Sequence, residues 1–253
     1  MPRYALRLEY DGTGFVGWQR QATGLSVQQV LEEAAAPLNR GETPLATAAG
    51  RTDAGVHAEG MVVDLNLSAD LPVERVREAI NARTAPHPIV ALAAARVPDG
   101  FSARFDCVAR RYRYRIMNRA ARPAIEAGRL WHVKRWLDAE AMHQAAQGLL
   151  GQHDFSAFRA AACQAKSALR TLDRLEVSRI GEEVVIVAEA RSFLHHQVRN
   201  MVGTLVEVGF GRRPVEWPRR VLEGRDRTRA GQTAPAEGLV FCTARYAAEP
   251  DWA

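Results

Sequence analysis

The segment Gly50-Arg51-Thr52-Asp53-Ala54-Gly55-Val56-His57-Ala58 holds one carboxylate between glycines, small residues and an arginine, just before strand-like sequence that starts at Met61. A reactive carboxylate needs a backbone that aims it and a cation that favours its anion, and this combination offers both. Asp53 is therefore a candidate catalytic group. The same pattern also fits a turn with a purely structural Asp, because turns favour Asp and Gly.

Two further segments carry chemistry of a different kind. Arg110-Arg111-Tyr112-Arg113-Tyr114-Arg115 interleaves aromatics and cations. On a strand this places Tyr112 and Tyr114 on one face and Arg111, Arg113 and Arg115 on the other. A ring flanked by guanidinium groups can stack on an extruded base while the arginines hold phosphate. Equally, strand alternation gives a tyrosine pair in the core beside a solvated basic face. In Phe193-Leu194-His195-His196-Gln197-Val198-Arg199-Asn200-Met201-Val202-Gly203, the residues Val198, Met201, Val202 and Leu205 form a helical stripe. Arg199 sits at its edge, where it could reach a carboxylate or simply lie on the surface.

Other patterns argue against cofactors. Gly12-Thr13-Gly14-Phe15-Val16-Gly17 matches the dinucleotide fingerprint formally. That fingerprint needs its third glycine in a helix, whereas here the helix signal begins only at Ser26. The segment reads instead as a flexible loop presenting Phe15, Trp18 and Arg20 to a ligand. Adjacent His195 and His196 point about 100° apart on a helix with no third ligand at helical spacing, so no metal site is expected. Cys107, Cys163 and Cys242 are too scattered for a zinc site or a disulfide framework.

Charge points toward nucleic acid. The 253 residues carry a formal charge of +5, and only Lys134 and Lys166 are lysines. Residues 101–120 hold six arginines against Asp106 alone, and residues 191–229 hold nine against four acids, so each segment equals the excess of the whole chain. Guanidinium suits forked phosphate contact and base stacking. A GC-rich genome would also write arginine for lysine, but that does not explain the clustering. No apolar run reaches membrane-spanning length, and Met1-Pro2-Arg3-Tyr4 leads into strand sequence without a signal-peptide core. A soluble, unprocessed, cytoplasmic protein is expected.

These segments need elements to hold them. Leu6, Leu8 and Tyr10 alternate with Arg7 and Glu9, the period of a strand with one buried face. Ser26 with Gln29 predicts a capping box and a helix through Leu38, followed by a strand with Met61, Val63, Leu65 and Leu67 inward. Val73, Val76 and Ile80 predict a helix after Pro72, and Ile89–Val97 a strand. Beyond residue 100 the spacing predicts a strand over 111–117, a helix over 138–150 stopped by Gly151, and strands over 172–180 and 184–190. A helix over 196–208 stopped by Gly209, a short helix after Pro214 and a last strand over 239–246 complete the series. The reading is two α+β halves, 1–105 carrying the Asp loop and 106–253 carrying Tyr112 and Arg199, with a ligand cleft at their junction.

Taken in order along the chain, the motifs resemble the TruA family of tRNA pseudouridine synthases. The matching stretches are Asp11-Gly12, Gly17 to Gln21, Ser26-Val27-Gln28, Gly50 to His57, Phe101 to Phe105, Arg110 to Tyr114 and Arg122-Pro123. They continue with Gly151, His153 to Arg159, His195-His196, Val198-Arg199-Asn200 and Glu237-Gly238-Leu239. Ala58 and Gln197 depart mildly from the pattern. The resemblance implies two ferredoxin-like or RRM-like halves with sheets joined around a central basic cleft. It further implies a homodimer acting on tRNA without metal or small-molecule cofactor, and isomerisation of uridine around positions 38, 39 and 40 of the anticodon stem-loop. Asp53 would be the catalytic carboxylate, Arg199 its ion-pair partner, Tyr112 the ring stacked on uracil and Arg51 a contact to the flipped nucleotide. The competing reading is a non-catalytic RNA-binding module, which leaves the Gly50–His57 loop unexplained.

Overall fold

The computed structural model describes residues 1–253. In chain order its elements are β1 (Arg3–Tyr10), α1 (Val27–Ala35), β2 (Thr47–Ala48), β3 (His57–Asn66), α2 (Val73–Thr84), β4 (Ile89–Val97) and β5 (Cys107–Met117). There follow β6 (Trp131–His132), α3 (Ala139–Gln147), β7 (Gly151–Asp154), β8 (Leu169–Ile180), β9 (Glu183–Ala190), α4 (Gln197–Gly209), α5 (Trp217–Gly224) and β10 (Leu239–Tyr246). The chain is mixed α+β with mostly antiparallel pairing. It forms two compact units, Met1–Arg110 with Val240–Ala253, and Arg111–Leu239. No helix is long and apolar enough to cross a membrane.

In the first unit the strand order is β4-β1-β3-β10, with β2 beside β3. β1 runs antiparallel to β3 and β4, while β10 lies parallel to β3 through Val240 opposite His57. The alternation of β1 is realised: Tyr4, Leu6, Leu8 and Tyr10 are buried, Arg7 and Glu9 exposed. β3 departs from simple alternation, because Val62 and Asp64 are buried as well as Met61, Val63 and Leu65. Asp64 is tolerated there because Arg3 Nε (3.2 Å) and the Ala103 amide (2.7 Å) both donate to it. At α1 the Ser26 hydroxyl accepts from the Gln29 amide at 3.2 Å. Gln29 turns outward to Glu33 at 3.0 Å instead of back to the cap, so the expected capping box is half formed. Pro37 lies in a 3-10 turn, Ala36–Asn39, that follows the shortened helix.

In the second unit the order is β5-β9-β8-β7, with β6 beside β5. The helix expected to reach residue 150 ends at Gln147, where Gly148 caps it, and Gly151 opens β7 at φ +93°. α4 buries Val198, Met201, Val202 and Leu205 as its stripe requires, and polar Asn200 and Thr204 as well. Asn200 accounts for its own burial: its amide donates to Phe158 O at 2.8 Å, and its oxygen accepts from Thr233 (2.7 Å) and Arg227 (3.0 Å).

Candidate active site

The Asp53 loop is held from beneath by the loop that follows β1. Gly12 and Gly17 lie against it so closely that a Cβ on Gly12 would sit 2.2 Å from Val56 O, and one on Gly17 2.7 Å from Thr52 O. The Trp18 amide donates to Thr52 O at 3.0 Å, and the Gly12 amide to Nδ1 of His57 at 3.0 Å. Tyr10 and Thr52 share a buried hydroxyl pair at 2.8 Å. Asp53 itself begins a tight turn, its carbonyl accepting from Val56 N at 3.1 Å, with Gly55 at φ +77° where a side chain would be strained. The result is a half-buried carboxylate between exposed Arg51 and exposed Ala54, on a backbone fixed at several points.

This geometry corrects the reading of the glycine loop. Phe15 and Trp18 do not face a ligand; they are 6% and 2% exposed. Trp18 packs on Tyr10 at 6.4 Å between ring centres, and Phe15 on His87 at 6.3 Å. Arg20 pairs with Glu33 at 2.8 Å, and Gln19 with Gln28 at 2.8 Å, so these side chains tie the loop to α1. The glycine pattern therefore marks close backbone packing beneath the Asp53 loop.

Arg110, counted in the basic cluster of residues 101–120, turns inward to the backbone and adds no surface charge to that cluster. It is 8% exposed, its Nε donating to Ala49 O and an Nη to Arg104 O, both at 2.7 Å. It thus anchors the backbone that enters the Gly50 turn. Nothing local distinguishes it from its neighbours in the arginine run.

In the second unit Tyr112 and Tyr114 do share a face, and they differ in availability. Tyr114 is fully buried, its hydroxyl donating to Pro235 O at 2.8 Å, and burial pushes its pKa far up. Tyr112 keeps 8% exposure and meets Phe193 edge-on at 5.2 Å. The opposite face is less free for phosphate than its cations imply. Arg111 binds Glu189 at 2.8 Å, and Arg115 binds Glu183 and Glu126, each at 2.8 Å. The charge of both arginines is largely matched within the protein.

Phe193 also leads into the turn before α4. The side chain of Gln197 accepts from Leu194 N at 2.8 Å, His196 takes φ +61°, and the rings of His195 and His196 lie 4.1 Å apart. Arg199, half-buried, is braced by Nε to Ala234 O at 2.8 Å, and its own carbonyl accepts from Ala234 N at 3.1 Å. A Cβ on Gly203, one turn further, would sit 1.8 Å from Gln232 O, so this segment lies directly on the helix backbone. Of the four site residues expected from sequence, Arg51 and Asp53 share one loop of the first unit. Tyr112 and Arg199 belong to the second, linked through Phe193 and the turn that follows it.

Comparison with known proteins defines the class. Residues 8–106 and 145–247 match the family model described as tRNA pseudouridine synthase. Over 99% of its length the chain is 59% identical to 98% of the tRNA pseudouridine synthase A of Acidiphilium cryptum (strain JF-5). It is 57% identical over 97% of its length to the whole of the enzyme of that name from Rhodospirillum centenum (strain ATCC 51521 / SW). A third relative, from Gluconobacter oxydans (strain 621H), is 51% identical over 98% of the chain and 91% of that protein. The chain belongs to the tRNA pseudouridine synthase family, a family of isomerases.

Proposed function

We propose that this protein converts uridine to pseudouridine in the anticodon stem-loop of tRNA, around positions 38, 39 and 40, with Asp53 as the catalytic carboxylate. The observation that carries the assignment is the clamp on the Asp53 loop, where two glycines, a tryptophan amide and a buried hydroxyl pair fix the backbone of a half-exposed carboxylate. Such fixation is what a group needs if it must meet one sugar carbon in one orientation.

The isomerisation breaks the bond from uracil N1 to the sugar, turns the base and rejoins it through carbon 5. No atom is gained and nothing is oxidised. The carboxylate either attacks the anomeric carbon or removes the neighbouring 2′ proton, and both routes require its anion. Arg199 is the proposed ion-pair partner that favours this anion. To be reached, the base must leave its stack at a cost of a few kcal/mol, and stacking on Tyr112, worth about 1–3 kcal/mol, offsets much of it. Arg51, exposed beside Asp53, is placed to contact the flipped nucleotide. The proposed architecture is two ferredoxin-like or RRM-like halves, 1–105 and 106–253, around a basic cleft, working as a homodimer whose mass light scattering would report.

The test is Asp53→Asn, assayed by carbodiimide-adduct primer extension on tRNA and by filter binding. It is expected to bind tRNA as the unaltered protein does and to form no pseudouridine. An active Asp53→Asn variant would remove the assignment.

A further inference from the structure

The second unit carries an aromatic platform that the proposed chemistry does not use. Trp136 is 64% exposed although it is among the largest apolar side chains in the protein. One face of its indole is covered by the guanidinium of Arg179, whose Cζ lies 3.5 Å from the ring centre, well inside cation–π range. The arrangement is built, not incidental. Buried Asn118, just after β5, uses all of its capacity here: its amide donates to Val133 O (2.9 Å) and Arg135 O (2.8 Å), and its oxygen accepts from Leu137 N (3.0 Å) and Arg179 (2.8 Å). Arg179 donates in addition to Leu137 O at 2.7 Å. One buried amide therefore fixes both the segment that presents Trp136 and the cation behind it.

The surroundings are basic. Lys134 and Arg135 precede Trp136, and both are exposed. Arg135 and Arg212 stack on Phe210 at 5.4 Å and 4.5 Å, and the Asp138 amide donates to Gly209 O at 2.9 Å, which keeps this pair of stacks beside the Trp136 segment. The nearby acids are occupied: Asp138 caps α3 through Ala141 N (2.9 Å), Glu207 pairs with Arg212 (3.1 Å) and Glu182 with Arg119 (2.7 Å). Arg179 makes no direct ion pair, and its Nη1 is a buried donor without a partner.

We propose that Trp136, backed by Arg179, is a second stacking platform that receives an unpaired base of the RNA substrate. The proposal rests on the RNA-acting reading above and adds a separate contact to it. An aromatic ring with a cation behind it and cations around it matches a nucleobase flanked by phosphates better than an apolar protein surface. The Trp136 segment, after β6, is tied through Arg135 and Leu137 to Asn118 at the end of β5, and Asn118 lies six strand residues, about 20 Å at roughly 3.3 Å per residue, from Tyr112. The base on Trp136 is therefore not the uracil that reacts.

The experiment compares the unaltered protein with W136F, W136A and W136K, using an unmodified tRNA transcript in filter-binding titrations and single-turnover pseudouridine assays at saturating tRNA. W136A is expected to weaken tRNA binding by about 5- to 150-fold, the equivalent of removing one base stack. W136F should stay within a few-fold, and the saturated rate should not change. W136K separates stacking from charge, and wild-type binding by W136K would overturn the proposal. So would W136A that binds tRNA normally with an unchanged melting temperature. An unaltered protein that binds tRNA and forms no pseudouridine would remove the catalytic reading while this one stands on the binding data. One that binds no tRNA would end both.

Discussion

Gly17 lies so close to the carbonyl of Thr52 that a single added methyl carbon would approach it to 2.7 Å, and would come within 3.1 Å of the Asp53 carbonyl carbon. Both neighbours are backbone, so neither can rotate away, and Gly17 has φ +107°, which disfavours any L side chain. Gly17→Ala is therefore expected to displace the Asp53 loop. A displacement near 1 Å costs about 100-fold in turnover when a group must be aimed. Single-turnover rates should fall by that order while tRNA affinity holds within a few-fold. A variant with the normal rate would show that the clamp does not aim Asp53.

Tyr112 offers a test of stacking against proton transfer. Tyr112→Phe keeps the ring and its edge contact with Phe193, so tRNA affinity should persist while the reaction slows. Tyr112→Leu removes the ring, and is expected to lose about 1–3 kcal/mol of base stacking besides the reaction rate. Melting temperatures of both variants check that the gap left against Phe193 has not unfolded the unit. Equal kinetics for the two variants would argue against a stacking role.

Much of this arrangement is visible in the sequence where one element buries one face. The alternation from Tyr4 to Tyr10 and the stripe of Val198, Met201, Val202 and Leu205 announce β1 and α4, since local periodicity and burial agree there. The last strand is also visible, Leu239–Tyr246, although its place beside β3 is not, because pairing between distant segments leaves no local signal. Trp18 and Phe15 misled for a related reason. They stand among glycines and polar residues, and only packing on Tyr10 and His87 makes them core. Arg110 and Arg111 are adjacent and chemically identical, yet one anchors backbone carbonyls and the other meets Glu189. Charge density reports neither fate, because both partners come from elsewhere in the chain.

The ion pair between Arg115 and Glu183 gives stability with a defined pH dependence. Hydrogen bonds from Arg115, and then its charge, hold the Glu183 carboxyl below the usual carboxylate range. A carboxyl that titrates lower when folded than when unfolded, where its pKa is about 4.3, stabilises the fold above that value. The contribution is lost as pH falls through the lower folded value. Glu183→Gln is expected to lower the melting temperature by about 2–4 °C at pH 7, the effect of roughly 1 kcal/mol in a protein of this size. Thermal melts from pH 7 to pH 3 should show the two proteins converging below about pH 4. A difference that does not shrink at all between pH 5 and pH 3 would mean that packing, not charge, supplies the effect.

Salt dependence separates cations that meet RNA from those already matched by glutamates. Removing one cation that touches a phosphate reduces the slope of log affinity against log salt by somewhat less than one. Arg115 is held by Glu183 and Glu126, so Arg115→Gln should leave the slope for tRNA binding unchanged, even where stability falls. Arg51 is exposed beside Asp53, and Arg51→Gln should reduce the slope by about one. Filter-binding titrations from about 50 to 300 mM salt resolve a change of that size. If Arg115→Gln flattened the slope and Arg51→Gln did not, the phosphate contacts would lie on the arginine face of β5, and the proposed contact between Arg51 and the flipped nucleotide would be withdrawn.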